Sequence, residues 1–289
     1  MSDAVWVALR SHDDQPLADQ TLAALARQTV PHRLIAFDNA STDGTREAVA
    51  RAADLLVEVP AGAYVPGRVL NDAMRRTDGP VVVFLNADCT PQHDEWLARL
   101  LAGLDDPEVG AVFGRQVPRP SAHPLHARDT ELAYGDGVRQ AAWRHCFSMA
   151  ASAIRRADWL AAPFDEGLRY SEDIDWTWRL RRRGRGVRYV PDAVAMHSHD
   201  YTLAQLARRH RGEGQAEAAI FEWSGWQASW LRYSFLPWGR QVLSDVRWAL
   251  GQGEWRAAVQ APVVRAVQAW GRRAGFRAGR AARRGGGGA

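Results

Sequence analysis

The sequence contains no lysine: all 37 basic residues among its 289 positions are arginine, which we attribute to a GC-rich coding bias. It has two cysteines, Cys89 and Cys146, too few for a disulfide framework or a cysteine-based metal site. No apolar run approaches the length of a membrane span, and the first residues lack the basic and apolar segments of a signal peptide. These absences disfavour a disulfide-stapled secreted scaffold and a membrane-spanning protein, and we expect a cytoplasmic, reducing location.

Glycine is missing from the turn that follows the first predicted strand, Ala4 to Leu9. That turn reads Arg10-Ser11-His12-Asp13, whereas a dinucleotide-binding dehydrogenase needs G-x-G-x-x-G at this point. The sequence therefore disfavours a Rossmann dehydrogenase.

Acidic residues are scarce in the last third of the chain. Residues 201–289 hold 14 Arg against 5 acids and seven of the 13 Trp, whereas residues 1–200 hold 23 Arg against 28 acids. This shift in charge predicts a near-neutral body at 1–200 and a basic, Trp- and Arg-rich helical extension at 201–284. The glycine-rich residues 285–289 are predicted to be a disordered tail.

Apolar segments alternate with helical patterns along the first 115 residues. The segment Val81–Leu85 is continuously apolar, which predicts a strand buried on both faces. Similar strands are predicted at 34–37, 55–59 and 109–115, with helices between them. This alternation predicts an α/β fold, a Rossmann-like and mainly parallel sheet flanked by helices.

Polar side chains follow two of these strands, where open α/β sheets bind ligands. Asp38 could accept a hydrogen bond from a nucleoside base or ribose, or it could belong to a turn that caps the next helix. Asn86 and Asp88 flank Ala87 and point the same way in an extended segment. They could share a divalent cation with a diphosphate, or they could form an Asx turn.

Two later clusters also carry chemistry. Glu172 and Asp173 are predicted in the first turn of a helix, where an ionised carboxylate could act as a general base. The alternative is the common enrichment of acids in first turns, with Asp175 as the natural control. His197 and His199 follow a short strand and could contact a metal or phosphate, although a lone His is often structural.

The order of these clusters resembles family 2 glycosyltransferases of the GT-A fold, across roughly residues 4–200. The resemblance is carried by five motifs: Asp38-Asn39-Ala40-Ser41-x-Asp43-Gly44-Thr45, Gly67-x-x-x-Asn71, Asn86-Ala87-Asp88, Glu172-Asp173 before Trp178-Arg179-Leu180, and His197. The closest likeness is to bacterial, rhamnosyltransferase-like members that build surface polysaccharide.

The resemblance implies a role for each matching residue. Asp173, with Glu172 beside it, corresponds to the catalytic base of inverting members, and Asp88 and His197 correspond to contacts of a Mg²⁺ or Mn²⁺ ion. Nucleotide-sugar binding is implied for the following residues: Ser11, Asp38, Arg68, Asn71, Asn86 and Ala87. Two departures stand out, because Asn86 replaces the first Asp of the metal motif and Arg10-Ser11-His12-Asp13 replaces Pro-Thr-Tyr-Asn.

The function implied is the inverting transfer of a sugar from a nucleoside-diphosphate sugar to a hydroxyl of a cell-surface glycan or lipid-linked acceptor. A nucleotide-binding module without catalysis is one alternative. A nucleic-acid-binding protein that uses the basic tail is another. We expect no nucleic acid as partner, because the positive charge is confined to the tail and no nucleic-acid motif is present.

The tail carries two apolar stripes beside dense arginine. The first stripe is Trp238, Val242, Val246, Ala249, and the second, after Glu254, is Val259, Val263, Val267, Trp270, with a predicted kink at Pro262. The arginines are Arg265, Arg272, Arg273, Arg277, Arg280, Arg283 and Arg284. This pattern suits peripheral binding to the anionic inner face of a plasma membrane. The alternative is packing on the protein's own body or on a second subunit in a homodimer.

Overall fold

The computed structural model describes residues 5–137, 146–221 and 223–285. They form two compact units. The first unit comprises Met1–Pro120, Asp129–Gly167 and Glu172–Ser198, and the second comprises Ser121–Arg128, Leu168–Ser171 and His199–Ala289. We call them the sheet unit and the helical unit. Of the predicted disordered tail at 285–289, residues 286–289 lie outside the described residues.

In the first 117 residues the strands and helices alternate as the pattern predicts, apart from the short strand Thr90–Pro91, which was not predicted. The strands are β1 (Val5–Ser11), β2 (His32–Asp38), β3 (Leu55–Glu58), β4 (Val81–Asn86), β5 (Thr90–Pro91), β6 (Val109–Val117), β7 (Ala151–Arg155) and β8 (Gly186–Met196). The helices are α1 (Leu17–Ala26), α2 (Thr45–Ala52), α3 (Pro66–Arg76), α4 (Trp96–Ala102), α5 (Pro124–Ala133), α6 (Arg156–Ala161), α7 (Glu172–Arg182), α8 (Leu203–Ile220), α9 (Leu236–Gly251) and α10 (Trp255–Gly285). A π-helical turn, Leu231–Phe235, precedes α9.

One sheet of eight strands runs through the sheet unit in the order β3-β2-β1-β4-β7-β6-β8-β5. The strands from β3 to β4 are all parallel, which confirms the prediction for that half. In the other half, β7 is antiparallel to both neighbours, β8 is parallel to β6, and β5 is antiparallel to β8. The sheet is therefore mixed.

Helices cover both faces of the sheet because its central strands are apolar on both sides. Val82, Val83, Phe84 and Leu85 are all fully buried, as expected for a continuously apolar strand. Residues of one face, including Val83 and Leu85, pack with Trp96 of α4. On the other face, Trp6 and Phe84 pack in a cluster with residues of three helices, namely Met74 of α3, Trp159 of α6 and Trp176 of α7. The polar ends of β1, β2 and β4 thus lie on a rigid, fully packed support.

The helical unit is organised around close packing of α8 against α10. Glycines at the contact allow this approach, since a Cβ atom on Gly214 would collide with the carbonyl oxygen of Arg272, and one on Gly275 with that of Arg211. A small apolar core forms beside it from Leu125, Leu206, Ala249, Ala257, Ala258, Ala261 and Val264. Among the described residues, no helix combines the length and the apolar character needed to cross a bilayer.

Candidate active site

The carboxyl ends of β1 and β2 are joined by hydrogen bonds that converge on Asp38. Ser11 lies opposite Asp38 in the parallel pairing, and its hydroxyl donates to Oδ1 of Asp38 at 2.9 Å. Ser41 donates to the same carboxylate through its backbone N–H at 2.9 Å and its hydroxyl at 2.6 Å. Asp38 is fully buried. The carboxylate therefore orders its own loop, as the turn interpretation requires, and its contact with a nucleotide stays a prediction.

Arg10 connects the end of β4 to the start of α7. It lies opposite Asn86 in the β1–β4 pairing and donates from Nη2 to Oδ1 of Asn86 at 2.7 Å. Its Nη1 lies 3.7 Å from Oε1 of Glu172. Burial alone lowers the pKa of Arg10, but the nearby Tyr64, Glu172 and Asp173 raise it above its ordinary value. A buried, permanently charged guanidinium thus sits among the polar groups of the site.

Asp173 is a carboxyl group with a perturbed acidity at the start of α7. Its Oδ1 accepts from the backbone N–H of Ile174 at 2.8 Å. Burial raises the pKa of Asp173, while that hydrogen bond and the charge of Arg10 oppose the rise. Asp175 differs, because it forms an ion pair with Arg179 one turn later at 2.8 Å. The two neighbouring acids thus differ in their partners, and the role of Asp173 as general base stays a prediction.

Asp88 and His197 come together although 109 positions separate them in the sequence. Oδ2 of Asp88 lies 3.5 Å from Nε2 of His197, and both side chains are largely buried. Arg119 holds the surrounding backbone, since its guanidinium donates to the carbonyl oxygens of Asp88 and Ser198.

Gln116 at the end of β6 orients the ring of His197. Its Oε1 lies 2.6 Å from Nδ1 of His197, while its Nε2 donates to the hydroxyl of Ser148 at 2.9 Å. When Nδ1–H of His197 donates to this amide oxygen, Nε2 is the ring nitrogen that faces Asp88.

The residues present fit a divalent cation. A carboxylate oxygen and an imidazole nitrogen 3.5 Å apart can both bind one ion, because metal–ligand bonds of about 2.0–2.2 Å span that separation. Oδ1 of Asn86 accepts a hydrogen bond from Arg10, and a contact of Asn86 with a nucleotide or a cation stays a prediction. Ala87 is fully buried, and its backbone N–H donates to the carbonyl oxygen of Arg10 at 2.8 Å.

Arg68 and Asn71 are engaged elsewhere in the sheet unit. Asn71 is 1 % exposed, and its amide makes four hydrogen bonds, to Trp159, twice to Phe164, and to Glu166. Arg68 is exposed and lies 3.7 Å from the carboxylate of Glu166. The described contacts give Asn71 a structural role in fixing the segment before α7, and a nucleotide role for either residue stays a prediction.

Sequence reasoning missed three residues near the site: Gln116, Arg119 and Asp14. Gln116 follows the predicted strand 109–115 directly, so the rule that ligands bind at strand ends could have found it. Burial raises the pKa of Asp14 to about 7, and the nearby charge of Asp88 adds to this rise. No motif in the sequence pointed to Asp14 or Arg119.

Comparison with known proteins identifies the class. Residues 7–161, more than half of the chain, match the family model described as Glycosyl transferase family 2. The chain is 30% identical over 226 residues to the O-antigen chain rhamnosyltransferase RfbN of Salmonella typhimurium, covering 73% of this chain and 71% of that protein. It is 29% identical over 203 residues to the O-antigen chain rhamnosyltransferase WbaN of Salmonella anatum, covering 66% of this chain and 64% of WbaN.

Solved structures share the architecture. The mannosyltransferase PcManGT from Pyrobaculum calidifontis, in complex with GDP-Man and Mn²⁺, aligns with a TM-score of 0.60 at 20% identity, over 92% of this chain and 86% of that one. Glucosyl-3-phosphoglycerate synthase from Mycobacterium tuberculosis, with Mn²⁺, UDP and phosphoglyceric acid, aligns with a TM-score of 0.57 at 17% identity, over 77% and 80% of the two chains. The chain belongs to glycosyl transferase family 2, and its fold is of the GT-A type.

Proposed function

We propose that this protein transfers a sugar from a nucleoside-diphosphate sugar to an acceptor hydroxyl, with inversion at the anomeric carbon and with Mg²⁺ or Mn²⁺ as cofactor. The observation that carries the proposal is the chain of contacts around Arg10. Its guanidinium links Asn86, two residues before Asp88, to the Glu172-Asp173 pair. These contacts support a general base at Asp173, which is half-buried, and a cation held at Asp88.

In this mechanism Asp173 accepts the proton of the acceptor hydroxyl as that oxygen attacks the anomeric carbon. Attack from the face opposite the leaving diphosphate inverts the configuration and needs one base in one displacement. Arg10 favours the ionised form of Asp173, and Glu172 holds Arg10 in place. Asp88 and His197 would hold the cation. That cation supplies positive charge that stabilises the departing diphosphate.

The acceptor in this proposal is a growing surface glycan or a lipid-linked precursor. Support comes from the relatives RfbN and WbaN, which are named as O-antigen chain rhamnosyltransferases. We propose that the sheet unit is catalytic and that the helical unit holds the enzyme peripherally at the cytoplasmic, anionic face of the membrane. Self-association through the helical unit is the competing role, and a nucleotide-binding module without catalysis is the competing function.

Calorimetry with a panel of UDP, dTDP and GDP sugars, with and without Mn²⁺ or Mg²⁺, tests the donor and the cofactor together. One sugar nucleotide should bind in the presence of the cation and lose most of its affinity in EDTA. Asp88→Ala and Asp88→Asn should remove this cation dependence, because a strand-end carboxylate is replaced by a neutral group.

Asp105→Ala is the matched control, since Asp105 is an exposed acid of the same unit. It should bind like the wild type. Binding by both Asp88 variants that equals the wild type, with and without EDTA, contradicts the assignment of the cation site.

A further inference from the structure

Two grooves flank the indole of Trp270, which is 78% exposed on α10. The first lies between α8 and α10, has a volume of about 480 Å³, and is lined by Ala207, Arg208, Arg211, Val267, Trp270, Gly271 and Ala274. The second has a volume of about 390 Å³ and is lined by Trp230, Ser234, Phe235, Trp238, Ala266, Ala269, Trp270 and Arg273. Trp270 therefore stands between two largely apolar depressions of the helical unit.

Large apolar side chains extend this surface along α9 and α10. The exposed ones on α10 are Trp255, Val259, Val263 and Trp270, and those on α9 are Leu236, Leu243 and Leu250. The α9 residues recur every seven positions, so they share one face of that helix. Trp230 stacks on Phe235 with ring centroids 5.0 Å apart, and Phe235 contacts Trp238 at 5.8 Å. An exposed apolar surface rich in Trp marks an interaction site.

The acids of the helical unit are mostly paired internally. Glu213 contacts Arg209, Glu217 contacts Arg272, and Asp245 contacts Arg265, while Asp200 lies 3.4 Å from His126. Arg208 and Arg211 are exposed on one side of α8, and among the described residues neither has an ion pair. The charge that faces outward beside the first groove is therefore positive and uncompensated.

We propose that the groove between α8 and α10 binds an anionic lipid of the membrane surface. In this arrangement Arg208 and Arg211 contact the phosphate of the headgroup, and the acyl chain lies along Val267, Ala274 and Trp270. This inference rests on the proposed function, which places the enzyme at the membrane surface. It adds the residues that would make the contact with lipid. Interfacial helices bind anionic bilayers through this combination of a cationic rim, tryptophan and apolar residues.

A second copy of the chain suits this surface less well. A two-fold interface would place the positive charges of both copies in one contact, and the acids that contact arginine or histidine within each copy supply little compensating charge. An anionic bilayer supplies both the opposite charge and the apolar phase. Charge complementarity thus favours the lipid.

Flotation of the full-length protein with vesicles tests the proposal. The protein should float with phosphatidylglycerol-containing vesicles at low salt, but not with pure phosphatidylcholine. The double variant Arg208→Gln/Arg211→Gln should weaken binding about 30-fold, because each basic residue near an anionic surface contributes roughly a factor of five. Trp270→Ser should weaken it as well, through the loss of an interfacial anchor.

Arg51→Gln/Arg182→Gln removes the same charge from exposed positions of the sheet unit and should leave flotation unchanged. If both double variants lost vesicle binding equally, net charge alone would explain the effect, and the proposed lipid site would be wrong. If millimolar inorganic phosphate displaced the protein from the vesicles, the groove would be a site for free phosphate, which would also contradict the lipid proposal. Flotation without dependence on Arg208 and Arg211, or a dimer that Trp270→Ser dissociates without any vesicle binding, would also contradict the proposal.

Transfer to a water-soluble acceptor separates this inference from the proposed function. The Arg208→Gln/Arg211→Gln variant should retain wild-type transfer to such an acceptor while its flotation falls. Wild-type protein that floats but transfers no sugar contradicts the enzymatic proposal alone. Wild-type protein that transfers sugar but does not float contradicts the lipid site alone.

Discussion

The sheet unit and the helical unit both bury charged side chains, but they arrange them differently. In the helical unit Arg265 and Asp245 are each 1 % exposed and meet at 2.6 Å, with Arg128 3.4 Å from the other carboxylate oxygen. In the sheet unit Arg10 lies 3.7 Å from Glu172 and is shared among several acceptors, while burial raises the pKa of Asp173. Removal of one member of a tight buried pair leaves an uncompensated charge, whereas an acid with a raised pKa is suited to exchange a proton near neutral pH.

The same contrast applies to the surfaces. The sheet unit concentrates its functional candidates where strands end and side chains are buried. The helical unit buries Asp245, pairs Glu213 and Glu217 with arginine, and exposes several tryptophan and arginine side chains. We therefore predict different effects when charged residues of the two units are replaced, and variants test this difference.

The largest expected effect is on catalysis. Asp173→Asn keeps the size and polarity of the side chain but removes its basicity. Sugar transfer should fall by roughly 10²–10⁴-fold, the range for a positioned general base, while donor affinity by calorimetry should stay within a few fold. Thermal unfolding should change little, because the asparagine oxygen can still accept from Ile174.

Asp175→Asn is the control for this variant, since its carboxylate pairs with Arg179. It should affect transfer only mildly, and equal losses in the two variants would contradict the assignment. The pH dependence of the wild-type transfer rate is an independent test of Asp173. Only ionised Asp173 accepts a proton, and its pKa is raised, so the wild-type rate should fall on acidification at a higher pH than an ordinary aspartate would allow.

The next effect is on stability and concerns the helical unit. Asp245→Asn leaves Arg265 buried without its charged partner. Breaking a buried ion pair by removing one member costs about 3–5 kcal/mol, so the thermal or urea unfolding transition of this unit should move markedly. Protein that remains folded should transfer sugar to a soluble acceptor at the wild-type rate.

Glu254→Gln provides the comparison, because Glu254 is an exposed acid of the same unit. Its effect should stay within about 0.5 kcal/mol, as for most surface substitutions. A similar unfolding shift in both variants would show that net charge, rather than the buried pair, sets the stability of this unit.

The smallest effect concerns the orientation of His197. Gln116→Leu removes the acceptor for Nδ1, and loss of such a supporting hydrogen bond typically weakens metal affinity by about 10–100-fold. Titration of Mn²⁺ monitored by calorimetry measures this directly. Gln92→Leu, at an exposed position, should leave the affinity unchanged. Unaltered Mn²⁺ binding by Gln116→Leu would argue against His197 as a ligand.

The strands and their polar ends could be predicted because they depend on local pattern. Val81–Leu85 predicts a buried strand by composition alone, and β4 spans Val81–Asn86. The contact between Gln116 and His197 could not be predicted, since it requires the parallel alignment of β6 with β8, whose partners lie far apart in the sequence. The hydrogen bonds of Asn71 likewise depend on a segment more than 90 residues away.

The tail is a second case in which sequence pattern alone could not predict the packing. Periodicity identified an apolar stripe on α9, but Ala249 of that stripe is fully buried and Val246 packs beside it in the core. The exposed apolar face of α9 is the one formed by Leu236, Leu243 and Leu250. A periodic pattern does not tell which of two apolar faces finds a partner. Arg265, grouped by sequence with surface charge, is buried because Asp245 lies on the neighbouring helix.

The register of β1 with β4 has a consequence for redesign of the site. The two departures from the family pattern, Arg10 and Asn86, lie directly opposite each other and share a hydrogen bond. The two positions are therefore coupled, and the effect of changing one depends on the residue at the other. An aspartate introduced at position 86 alone would become the ion-pair partner of the Arg10 guanidinium. A second acid that is free to bind a cation would require Arg10 to be replaced as well.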